Sequence, residues 1–118
     1  MSSLDEVEAF LKDFSAKYKV FDITFVDART KNANTLLLLE MPPARRRAII
    51  ESIVAPDYVQ GPLDDRLYGI NSLWVFGKNY KHQEIYIKIS MGHLNSSVIC
   101  ISFHPAAHPM NYPYKNQP

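Results

Sequence analysis

Four side chains in the second half of the chain are of the types that metal-free phosphoryl chemistry uses: Lys78, Tyr86, Lys88 and His104. Moving a phosphoryl group without a metal makes several demands. The attacking hydroxyl must lose its proton and line up behind the phosphorus. Charge building on the phosphoryl oxygens must be balanced, and the leaving oxygen must receive a proton. Imidazole, with a reference pKa near ~6.5, gives or takes a proton near neutrality. Lysine supplies fixed positive charge, and a tyrosine hydroxyl bonds a phosphate oxygen or relays a proton. His104 is the candidate general acid or base, Lys78 and Lys88 the candidate charge stabilisers, and Tyr86 the candidate that positions the phosphate.

Strands must carry these groups. Residues 72–76, 84–91 and 97–103 read as three strands, with turns at Gly77-Lys78-Asn79 and Gly92 to Asn95; their short spacing implies an antiparallel meander. Alternation places Ile85, Ile87, Ile89 and Met91 on one face and Tyr86, Lys88 and Ser90 on the other. With no bulge to shift the phase, Ile99, Ile101 and Phe103 join the apolar face, and Ser102 and His104 join Tyr86 and Lys88. Assigning Leu73 and Val75 to the core sends Trp74, Phe76 and Lys78 to the open face. There Trp74 and Phe76 are candidates for stacking RNA bases. The other reading makes them a second small core beneath the Pro- and Tyr-rich tail, residues 104–118.

Upstream, Ser3-Leu4-Asp5-Glu6 is a capping box opening a helix over 4–18. Residues 20–26 read as a strand and 27–34 as a polar turn. The four leucines within 35–41 favour a short helix, which stops before Pro42. Pro42-Pro43 opens another helix, ending before Pro56. Arg45, Arg46 and Arg47 crowd its first turns, where the helix dipole disfavours cations. This makes Arg46 a candidate RNA contact, with an acidic protein partner or a plain solvated face as the alternatives. Residues 57–69 read as a loop. The expected fold is one α+β domain over 1–118, with N-terminal helices packed on a C-terminal antiparallel sheet.

Composition agrees with a packed, intracellular enzyme or binding module: 47% of residues are hydrophobic, and the lone Cys100 excludes an internal disulfide. No apolar run approaches membrane-spanning length and no leader precedes the first helix, so the expected location is cytoplasmic. Net charge is +1, but residues 1–65 balance to −3 and residues 66–118 to +4, with all four histidines in the cationic part. That asymmetry points to one anion-facing surface. His104 and His108 have a metal-like spacing, but Pro105 and Pro109 rule out a regular helix between them and no Cys pair or acid joins them. Neither a metal nor a cofactor is expected.

The ordered blocks "DYVQGP", "LWVFGK", "EIYIKI" and "VICISFHPAAHPMNYPY", spanning about residues 57–114, resemble the MqsR family of toxins. These are RNases of type II toxin–antitoxin pairs with a RelE-like fold. The resemblance implies metal-independent cleavage of mRNA, growth arrest, and neutralisation by a cognate antitoxin. The partners implied are mRNA, that antitoxin and, where cleavage accompanies translation, the ribosome. The better-known branch uses a Lys after Asp-Tyr, a Gln after Trp, a Tyr in the Tyr-hydrophobic-Lys block and a Lys after Ser-Phe. Those positions here hold Gln60, Val75, Tyr86 and His104, so Gln60 joins the candidate RNA contacts. Many RelE-like RNases place a His or Tyr acid/base group near the C-terminus, as His104 would be. A non-catalytic RNA- or protein-binding module on the same face, or a relative with decayed activity, are the competing functions.

Overall fold

Ser3 begins the first helix by a reciprocal pair of bonds: the Glu6 N–H donates to Ser3 Oγ (3.2 Å) and the Ser3 N–H to Glu6 Oε1 (2.9 Å). The resulting helix α1 spans Leu4–Phe21 in a computed structural model that describes residues 1–27, 30–65 and 70–115. Asp22, at φ 66, ends it. The expected strand over 20–26 shrinks to β1, Ile23–Phe25, because α1 runs on to Phe21 and the register covers only these three residues, paired with Val98, Ile99 and Cys100. The leucine run is helical as expected, but its helix α2 is Thr30–Leu38 and starts inside the stretch read as a turn. Pro42 caps α3, Pro43–Glu51, and a short 3-10 turn, Ala55–Asp57, follows.

The rest is sheet. β2 is Tyr58–Asp65, β3 Ile70–Tyr80, β4 Gln83–Ser90 and β5 Val98–Pro105. The order is β1-β5-β4-β3-β2, antiparallel except for the parallel β1–β5 pair. The chain is therefore an α+β fold with N-terminal helices on a mostly antiparallel sheet. The expected loop over 57–69 is corrected up to Asp65, since β2 pairs with β3 through three register shifts; residues 66–69 lie outside the described residues. Those irregularities explain how Gly61-Pro62 sits in an edge strand. The expected turn at 77–79 is also corrected. These residues continue β3, and the reversal falls at Lys81 and His82, both at positive φ (51 and 64).

The core lies between α1 and the sheet. Phe10 stacks on Trp74 (centroids 4.5 Å apart, 12° between planes), and Phe14, Phe76, Ile85, Ile87, Ile89 and Phe103 complete it. Trp74 pairs with Ile89, Phe76 with Ile87 and Lys78 with Ile85, so all three belong to the helix-covered side. This overturns their expected place on the open face. Burying the two largest rings of β3 removes the most apolar area from water, and Phe10 offers them a stacking partner.

β5 departs from simple alternation. Lys88 pairs with Ser102 but Ile89 pairs with Cys100, leaving Ile101 as an extra residue in a bulge. Val98 and Cys100 therefore join the core with Phe103, while Ile101 packs with Leu73 in a second cluster to which Ile99 adds. The buried Asn32 of α2 fixes this bulge: its Nδ2 donates to the carbonyls of Val26 and Ile101 (both 2.8 Å), and its Oδ1 accepts from the Phe103 N–H (2.9 Å). No helix among the described residues is long and apolar enough to cross a membrane.

Candidate nucleic-acid interface

Downstream of the bulge, β5 presents Ser102 and His104 on the sheet face opposite α1. Ser102 pairs with Lys88 and His104 with Tyr86. On β3, Val75 pairs with Lys88 and Gly77 with Tyr86; on β2, Gln60 pairs with Val75. Two rows cross this outer face. One runs Ser102, Lys88, Val75, Gln60, and its neighbour runs His104, Tyr86, Gly77. Gln60, Val75, Tyr86 and His104, scattered through the sequence, thus gather within two adjacent rows.

Tyr86 and His104 stack with centroids 5.3 Å apart and 14° between planes. The Lys88 ammonium lies 5.8 Å from the Tyr86 ring centroid. All three side chains are half-buried. His104 Nδ1 is 3.0 Å from the Pro105 carbonyl oxygen. A carbonyl only accepts, so in the neutral ring this contact assigns the proton to Nδ1. The surroundings are not bare sheet, for Leu73, Val75 and Ile101 are buried on the same side.

The other sequence candidates lie elsewhere. Lys78 is on the helix side, bonded to Asp57 Oδ2 (3.0 Å) and the Ser52 carbonyl (3.4 Å). It ties β3 to the segment after α3 and does not join His104. Trp74 and Phe76 are core and cannot reach a base. Arg46 is buried, with its guanidinium 3.6 Å from the Phe25 ring centroid and a two-pronged bond to Asp27 (2.8 and 3.0 Å). Asp27, not RNA, answers its misfit with the helix dipole, and Arg47 is met similarly by Asp22. Cys100 is fully buried; burial pushes its thiol up to about 12, which removes it as a nucleophile.

Sequence reasoning missed the groups beside Tyr86. Glu84, the only acid after residue 65, faces the same side two residues before Tyr86. Its carboxylate accepts from the Met110 N–H (3.1 Å) and the Tyr112 hydroxyl (2.6 Å). Burial, reinforced by that carboxylate, holds the Tyr112 hydroxyl well above the ordinary tyrosine range, so it stays a donor. The isolation of Glu84 in a cationic half was the available signal. Among the described residues, no three His, Cys, Asp or Glu side chains gather as a metal cage. Comparisons with models of known families, with curated proteins and with solved structures find no match to this chain.

Proposed function

We propose that the protein is a metal-independent mRNA endoribonuclease of the toxin class, acting on the outer sheet face and restrained by a cognate antitoxin. The observation that carries this reading is the Tyr86–His104 stack with Lys88 beside it. The imidazole and the ammonium both lie against the Tyr86 ring, with ring centroids 5.3 Å apart and the ammonium 5.8 Å from the Tyr86 centroid. The gathering of Gln60, Val75, Tyr86 and His104, the positions indicated by the resemblance to the MqsR family, supports it. In this reading His104 Nε2 exchanges the proton, Lys88 balances charge on the phosphoryl oxygens, and the Tyr86 hydroxyl orients the phosphate.

Val75 favours a second reading, an RNA-binding module without catalysis. A buried aliphatic side chain cannot replace the polar group that the family has there. Incubating the purified protein with mRNA in excess chelator separates the two. Cleavage leaving 2′,3′-cyclic phosphate ends supports the enzyme, and binding with intact RNA supports the module. Induced expression should arrest bacterial growth in the first case. Lys88→Ala should fold normally and lower the cleavage rate about ten- to a hundred-fold, the worth of one hydrogen bond to a charged group. An unchanged rate would remove Lys88 from the site.

A further inference from the structure

The tail after β5 doubles back over the outer face. Ala106 N–H donates to the Glu84 carbonyl (2.9 Å), and Met110 and Tyr112 then hold the Glu84 carboxylate. Gly77 marks how close the tail comes: a Cβ there would lie 2.1 Å from the Tyr112 hydroxyl and 2.7 Å from its Cε1. Because Gly77 pairs directly with Tyr86, the Tyr112 ring lies over the position next to Tyr86 on that face. Beyond it, the exposed Lys115 sets its ammonium 4.8 Å from the Tyr112 ring centroid. Tyr114 anchors the far end, its hydroxyl donating to the Ser2 carbonyl (2.5 Å) and its ring 5.8 Å from that of Tyr58. The tail is thus fastened at both ends of the Tyr112 segment and forms part of the surface.

We infer that Tyr112 and Lys115 form a second nucleotide subsite for single-stranded RNA, next to the one formed by Tyr86 and Lys88. Tyr112 pairs an aromatic ring with the Lys115 ammonium, the combination that stacks a base and neutralises a phosphate, beside the group proposed to hold the scissile phosphate. The Met110 N–H and the Tyr112 hydroxyl, both bonded to Glu84, hold the ring in place on that face. The inference rests on the proposal that this face binds RNA, and it assigns the tail a task that the acid/base group does not need.

Uncleavable 2′-fluoro oligonucleotides, a tetramer and an octamer, test it on the full chain. Wild type should bind the octamer more tightly. Lys115→Ala, at an exposed position, should erase most of that length gain and reduce the salt slope of octamer binding by about 0.7, as for one lost phosphate contact. Tyr112→Phe keeps the ring and should retain octamer affinity, whereas Tyr112→Ala should weaken it roughly five- to a hundred-fold. If wild type cleaves RNA while Lys115→Ala keeps the full length gain and salt slope, the subsite is overturned and the endoribonuclease stands. If wild type binds the octamer with the expected Lys115 dependence but cleaves nothing, the subsite stands and the enzyme falls. A wild type that binds neither oligonucleotide overturns both.

Discussion

His104→Ala should slow RNA cleavage by about 10²–10⁴-fold, the usual contribution of a positioned acid or base, while RNA affinity stays near that of wild type. The effect should be that large because the ring is held in one orientation. Tyr86 stacks on its face, and Nδ1 lies 3.0 Å from the Pro105 carbonyl oxygen, so the ring is turned one way. His104→Gln keeps polarity and approximate size but transfers no proton, and should be nearly as inactive. His104→Lys distinguishes the alternative: a residue that merely contacts phosphate would be replaced without loss. The pH–rate profile supplies an independent check, since one limb present in wild type should be missing from the Gln variant. A Gln variant cleaving at the wild-type rate with the wild-type profile would end the assignment.

Asn32→Ala should destabilise the protein by about 3–5 kcal/mol, read as a fall in the urea midpoint, because three buried backbone groups lose their partner at about 1–3 kcal/mol each before any relaxation. Those groups are the Val26 and Ile101 carbonyls and the Phe103 N–H. Asn32→Asp retains the shape but turns a carboxylate oxygen toward two carbonyls. Its carboxyl should titrate above the ordinary range, so the loss should deepen as pH rises through that value and ease as the group is protonated on acidification. An Ala variant within 1 kcal/mol of wild type, a margin set by the worth of a single hydrogen bond, would show that the bulge holds itself. The link to the site is direct, since the bulge decides which face His104 occupies relative to Val98 and Cys100.

Residues whose environment follows from their neighbours in sequence were readable. The Ser3–Glu6 capping box, the helical leucine run, the break at Pro42 and the pairing of Tyr86 with Lys88 on one face needed only local rules. β3 defeated those rules because Leu73, Trp74, Val75 and Phe76 are all buried, two on each side, and alternation then carries no phase. β5 defeated them through one extra residue held by a side chain from another element. The reversal at Lys81 and His82 has no glycine to announce it, whereas Gly77, which looks like a turn residue, is small because Tyr112 lies over it. The candidate site was half legible. Tyr86, Lys88 and His104 meet on one face, but Lys78, Trp74, Phe76 and Arg46 have partners that no spacing reveals.

The parallel pairing of β1 with β5 has a consequence for how the molecule comes into being. β1 precedes β5, to which its described ladder runs, by more than seventy residues of chain. Until Val98 to Pro105 have been synthesised, Ile23–Phe25 have no sheet to join and β4 keeps one edge unsatisfied. Contacts of such wide sequence separation form late, since closing the long loop costs entropy before any pairing offsets it. A nascent or prematurely terminated chain ending before Val98 carries Tyr86 and Lys88 but lacks the imidazole that stacks on Tyr86. The stack of His104 on Tyr86 therefore forms only once β5 has joined β4.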